Sequence, residues 1–299
     1  MWEEKYAAQD VLIAICCHNH FSLVPPLCVP VQGGARLNPA VEGAIPDIGA
    51  KGDISTKNHT YCELTVLYFM WKNLFAEYYG LCHYRRFFCF DESVSKKYIA
   101  KRTLKDRQLQ RYFKSEMEAI CRIRDCDVLI PRPEDMGMTV LEHYSAAKGH
   151  WKEDLELFVE VLSALHPELT QAAEEYLSQN KSYFCNMFIM SSDYFQEYCR
   201  LLFSSLEEFD RRKAAAGESI AARTDGYLGE RFLGIYITFL RKKDCRIVET
   251  ARIDLECSLK KRILYRLFPP ESRRRLWIKK WVGQLLAKLH LSSAKEALR

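Results

Sequence analysis

The chain has 299 residues, 48% of them hydrophobic and 12% aromatic, which is apolar material enough for one large core plus an appendage. Its twelve cysteines form no CxxC pair and no Cys/His ligand spacing, which points to a reducing cytoplasm, and no uncharged apolar stretch approaches the roughly 18 residues that span a bilayer. The formal charge of +5 averages two unlike parts: residues 257–299 hold twelve Lys/Arg against two Asp/Glu, so residues 1–256 come to −5.

The polar, acidic opening MWEEKYAAQD carries no secretion signal. DVLIAICCHN reads as a central strand with Cys16 and Cys17 as small buried filling and His18 to His20 just past its carboxyl end, the edge where open α/β sheets bind ligands. The Pro- and Gly-rich segment that follows, through PDIGAKGD, is too long for a simple connection and reads as a functional or mobile loop. From Asn58 to Glu77, Leu64, Leu67, Tyr68, Trp71, Leu74 and Phe75 recur at helical spacing, with Ser55 or Asn58 as cap. YYGLCHY then reads as a strand delivering His83-Tyr84-Arg85-Arg86 to its end. Residues 103–123 look helical, DCDVLIPRP is a strand stopped by Pro131 and Pro133, and helical patterns resume over 139–148, 153–165 and 168–178. CNMFIM is a further strand, followed by helices over 191–212 and 226–241. The alternation predicts an α/β fold with a single, mostly parallel sheet flanked by helices.

Two arginines in one short loop suit a diphosphate, because their donor forks match phosphate oxygens and keep their charge at any physiological pH. The competing reading pairs Arg85 and Arg86 with surface acids such as Asp91 and Glu92. Asp125 and Asp127 have the spacing of a metal grip but precede their strand, so a polar approach to that strand is the preferred reading. His143, His150 and Asp154 would share a helix face only if the helix ran through Gly149. In RTDGYLGERF, Asp225 fits a helix-start carboxylate favoured by the dipole, while Glu230, within the helix, is a candidate general base.

In the tail, Ile278, Trp281, Val282, Leu285, Leu286 and Leu289 fall on one helical face, with Lys279, Lys280, Gln284 and Lys288 largely opposite. That is the pattern of an interfacial helix for an anionic membrane surface, over residues 273–291. An ordinary packed helix with a basic face is the alternative, and nucleic acid is disfavoured because the body of the chain is acidic.

GDISTKNHTYCELTVLYFMWKN, YYGLCHYRRFF, DVLIPRP, HYSAAKGHWKEDL, CNMFIMSSDYFQEYC and GYLGERF, in that order, resemble a bacterial glycosyltransferase family of capsular, exopolysaccharide and O-antigen clusters. The family was long catalogued only as a domain of unknown function and includes galactofuranosyltransferase domains. The resemblance spans most of residues 11–241 and departs from the family at His18-Asn19, where His-Lys is usual, and at Asp53, where Asn is frequent. It implies a variant of the GT-A-like nucleotide-sugar transferase fold over residues 1–256; residues 257–299, outside the resemblance, are the basic amphipathic tail read from its own helical pattern. It also implies transfer of a hexosyl group, galactofuranosyl among the candidates, from a UDP-sugar to a lipid-linked or growing cell-surface glycan; the expected place at the inner, cytoplasmic face of the cell membrane rests on the helical pattern of the tail alone.

On that resemblance His18, Asp53, Asn58, Arg85 and Arg86 are expected on the nucleotide side of the donor, His83 and Tyr84 near the sugar, and Glu230 or Asp154 as the base. No tightly bound cofactor is implied, and the arginines take the place of a divalent metal. The rival from another class is a non-catalytic scaffold recruited to the membrane by the tail. A phosphoryl transferase is disfavoured, since no GxxxxGK[ST] loop is present.

Overall fold

The computed structural model describes residues 9–259 and Ile263, so the expected tail helix lies outside the described residues. β1 (Gln9–Cys17) is buried from Val11 onward. Its alternate side chains feed two different cores: Leu12, Ala14 and Cys16 on one face, Val11, Ile13 and Ile15 on the other. An apolar run without alternation is the mark of a strand covered on both sides.

The long Pro/Gly segment is not one loop. It contains β2 (Cys28–Gln32), parallel to β1, and β3 (Ile45–Pro46), parallel to β2. Pro30 is tolerated because β3 pairs with β2 only from Val31 onward, so Pro30 sits where the strand is an edge. The wholly buried Asp47 fixes the rest of the segment, accepting from Gly34 N (2.8 Å), Ala35 N (2.9 Å) and Ser55 Oγ (2.6 Å).

The helix expected over 58–77 is divided. α1 (Asn58–Tyr61) ends at Cys62, whose φ of 50° breaks the spiral, and α2 (Leu64–Asn73) stops where Leu74 turns extended. β4 (Ala76–His83) begins earlier than the apolar run suggests, because it pairs in parallel with β1 from Gln9–Ala76 to Cys16–His83. The chain then reverses at once. His83 is the last residue of β4, Tyr84 and Arg85 form the turn, and Arg86 opens the antiparallel β5 (Arg86–Cys89).

After β6 (Tyr98–Ala100), residues 103–123 supply α3 (Asp106–Phe113) and α4 (Glu116–Arg124) rather than one helix, the second opened by a Ser115–Glu118 capping box. β7 (Val128–Pro131) and β8 (Glu134–Asp135) precede α5 (Val140–Ala146), α6 (Lys152–Leu165) and α7 (Thr170–Ser178). Gly149, at φ +80°, separates α5 from α6, so His143 and Asp154 do not share a helix. β9 (Lys181–Ser182), β10 (Phe188–Ser191), α8 (Ser192–Ala215), α9 (Thr224–Leu240) and β11 (Ile247–Asp254) complete the described chain.

The sheet departs from the expected open, mostly parallel one. β4 pairs with both β5 and β10, and β10–β7, β7–β11 and β11–β5 pairings close these five strands into a ring. β1, β2 and β3 extend from β4 as a parallel wing, and β6 lies along β11. Among the described residues, five of this sheet's ladders are parallel and four antiparallel, so the sheet is mixed.

The larger core lies between the sheet and α2 and α5 to α9, and the smaller one under α3 and α4. α9 runs through the larger core with only Tyr227, Glu230 and Phe239 less than buried. Its Gly234 abuts Tyr176 of α7 so closely that an added Cβ would fall 1.9 Å from the ring, which is why this helix can be so apolar and so tightly flanked.

Candidate functional site

The register that sets Cys16 beside His83 also aligns the carboxyl ends of β1 and β4, where Tyr84 N donates to Cys16 O (3.2 Å). A cavity of about 710 Å³ opens there. His18 comes to its wall from β1, His83 and Tyr84 from β4 and its turn, and Arg86 from β5. Asn58, His59, Cys62 and Glu63 come from the α1–α2 corner, Glu134 and Met136 from around β8, and Phe184 and Cys185 from before β10. Arg223 and Glu230 come from α9 and its approach, Arg252 and Asp254 from β11.

The structure therefore gathers His18, Asn58, His83, Tyr84, Arg86 and Glu230 and leaves three expected residues elsewhere. The tight reversal parts Arg85, in the turn, from Arg86, at the start of β5. Arg85 lies over the Tyr84 ring (4.7 Å) and forms an ion pair with Glu256, not with Asp91 or Glu92, which pair with Arg111 and Arg122. Asp53 grips Arg36 through two bonds (2.9 and 2.7 Å), and this partner, held in the Pro/Gly segment, keeps its carboxyl below the usual range. Asp154 is buried between helices as the ion partner of Lys213 (2.9 Å), so it is not placed to reach a substrate in the cavity. Asp127 accepts from Arg246 N (2.8 Å), the polar approach to a strand.

Asn58 both lines the cavity and braces it. Its amide donates to Cys62 O (2.8 Å) and Thr65 Oγ1 (3.0 Å), and its side chain packs where a Cβ on Gly34 (φ +69°) would stand 2.8 Å away. Glu230, with its side chain 17% exposed, accepts from Cys185 N at 2.6 Å. Burial raises its carboxyl above the ordinary value, against the pull of the Arg231 guanidinium. His83 bonds to Cys185 O at 2.5 Å, and burial together with Arg86 lowers its imidazole to about 4.

The cations differ in how they are neutralised. Arg252, on β11, is held by Asp254 (2.8 Å) and Glu134 (3.1 Å). Among the described residues, Arg86 and Arg223 have no carboxylate at ion-pair distance. The cavity thus offers two uncompensated guanidinium groups to an anion and several carboxylates to hydroxyls. Among the described residues, no group of three or more His, Cys, Asp or Glu is placed to hold a metal ion.

Sequence reasoning missed Glu63, Glu134, Arg252 and Asp254. For β11 a signal was present, since buried Ala251, Ile253 and Leu255 alternate with Arg252 and Asp254.

The family model described as a domain of unknown function, DUF4422, matches residues 12–243. The chain belongs to the DUF4422 family. β11, with Arg252 and Asp254, lies beyond the stretch that the DUF4422 model matches. The apo structure of WbbM, a bifunctional glycosyltransferase, is similar at a TM-score of 0.75 and 24% identity, over 82% of this chain and 45% of that one. This likeness is one of fold, and the chain spans less than half the length of the WbbM structure it matches. No curated protein matches this DUF4422 chain in sequence.

Proposed function

We propose that this DUF4422 chain is a nucleotide-sugar-dependent glycosyltransferase domain. It would move a hexosyl group, with galactofuranosyl among the candidates, from a UDP-sugar to a lipid-linked or growing cell-surface glycan. The observation that carries the reading is the meeting of Arg86, uncompensated by any carboxylate among the described residues, with Glu230 in one cavity at the carboxyl ends of β1 and β4. A guanidinium there stabilises the charge that grows on the leaving diphosphate, the task a divalent metal performs elsewhere. Glu230, its proton affinity raised by burial, takes the proton of the acceptor hydroxyl as that oxygen attacks the anomeric carbon. Arg223 is a second contact for the diphosphate, and His18, Asn58 and Tyr84 shape the donor's seat.

Anchorage to the inner face of the membrane through residues 273–291 is part of the same proposal. No helix among the described residues is long and apolar enough to cross a membrane.

The test is a thermal-shift screen of UDP and UDP-sugars in EDTA, since a ligand that binds only the folded chain raises its melting temperature. UDP and at least one UDP-sugar should raise it without added metal. No response to any of them contradicts the reading, and a response that requires manganese contradicts its metal-free part.

A further inference from the structure

Two short hydrogen bonds meet on the backbone of one residue, Cys185, one on each of the peptide groups that flank its Cα. Cys185 N–H donates to Glu230 Oε1 (2.6 Å), and Cys185 C=O is bonded to His83 Nε2 (2.5 Å). A carbonyl oxygen only accepts, so Nε2 must carry the ring's hydrogen. In the neutral ring Nδ1 then keeps its lone pair.

The backbone that presents these two groups is unusual. Cys185 (φ 74°) and Asn186 (φ 46°) are successive non-glycine residues in the left-handed region, which chains adopt only where the surroundings enforce it. Here the enforcing contacts can be named. Asn186 is wholly buried, and its Nδ2 donates to Glu63 Oε1 (2.7 Å) and to Gly226 O (3.3 Å). Glu63 stands on the cavity wall, and Gly226 belongs to α9, one turn before Glu230. The strained turn is thus tied to the helix that carries one of its clients.

We infer that the Cys185 backbone positions the site, orienting Glu230 by its N–H and fixing His83 as the Nε2–H tautomer by its C=O, so that His83 Nδ1 accepts a hydrogen bond from a sugar hydroxyl. The hydroxyl ligand rests on the glycosyltransferase reading; the tautomer and the role of the Cys185 backbone do not. A neutral acceptor suits this place, because an anion so near Arg86 would compete with a diphosphate for the guanidinium. The groups acting on the ring agree: burial and the Arg86 guanidinium oppose its protonation more than the Cys185 carbonyl and Glu230 favour it.

The test uses the full chain with ¹⁵N-labelled histidine, the His83 signals being assigned by their loss in His83→Gln. His83 should show a protonated Nε2 and an unprotonated Nδ1, unchanged from pH 8 to pH 5. A protonated Nδ1 in the neutral ring, or titration near the ordinary histidine value, overturns the tautomer. Cys185→Gly, compatible with positive φ, should keep this signature. Cys185→Val, which resists that conformation, should lose it even where the protein stays folded by circular dichroism; its survival in a folded Val variant overturns the positioning role.

Addition of UDP-glucose, UDP-galactose or UDP-galactofuranose, whichever raises the melting temperature, should move the Nδ1 resonance upfield while UDP alone leaves it in place. A sugar that binds without moving it overturns the hydroxyl contact. Failure of all three to bind contradicts both that contact and the glycosyltransferase reading, and leaves the tautomer to be judged on its own spectrum.

Discussion

Glu230 and Asp225 are five residues apart on α9, which turns them about 140° from each other around the helix axis. Both are acids inside the protein, and burial raises the proton affinity of both. Their surroundings differ. Glu230 opens on the cavity and is oriented by a backbone N–H, whereas Asp225 is wholly buried and brought to about 7 by burial and by Asp210, whose charge is already taken by Lys57 (3.0 Å) and Tyr61 (2.9 Å). Even the helix dipole at Asp225, which favours a charge, is outweighed by the loss of water. A raised proton affinity alone therefore does not mark a reactive acid; access to the cavity is what distinguishes Glu230 from Asp225.

The sharpest way to break this comparison is turnover. Glu230→Gln should lower the rate of transfer by roughly 10²–10⁴-fold with UDP affinity retained. Activity within a few-fold of the original chain's would remove Glu230 from the chemistry.

A second contrast sets the cavity against the scaffold. Lys213→Met leaves Asp154 buried without its partner and should cost about 3–5 kcal/mol of stability, read by denaturant unfolding, while UDP affinity stays the same. A loss of affinity at unchanged stability would return Asp154 to the site.

The third concerns pH. The folded-state value of Asp225 is raised above its unfolded value, so its stabilising contribution is whole below about 4 and is lost as pH rises towards about 7. Asp225→Asn should therefore gain melting temperature over the original chain progressively across that window, and the gain should level off above it. A constant difference from pH 4 to pH 8 would contradict the assignment. The smallest effect is expected of Arg85→Ala, whose half-exposed ion pair with Glu256 contributes at most about 1 kcal/mol, with no change in UDP affinity.

What was legible in the sequence was periodic or apolar. β1 and β4 announced themselves as buried runs and α9 as an apolar helix carrying Glu230, so the wall formed by His18, His83 and Glu230 could be read from one dimension. The tight reversal at Tyr84–Arg85 could not. It depends on β5 pairing with β11, some 160 residues away in the chain, and it decides which of two adjacent arginines enters the cavity. Asp53 misled for a similar reason, because its partner Arg36 lies in a segment whose prolines and glycines disguised two strands. The closed ring was hidden as well, since it is made by β10 and β11 finding strands that are remote in sequence.

The claim on which the account depends is that Arg86 receives the diphosphate, and calorimetric titration of UDP into the original chain and Arg86→Ala, both in EDTA, tests it directly. Loss of charge-assisted bonds worth about 1.5–3 kcal/mol predicts affinity weaker by roughly 10–100-fold in the variant. Equal affinity in the two proteins would contradict it.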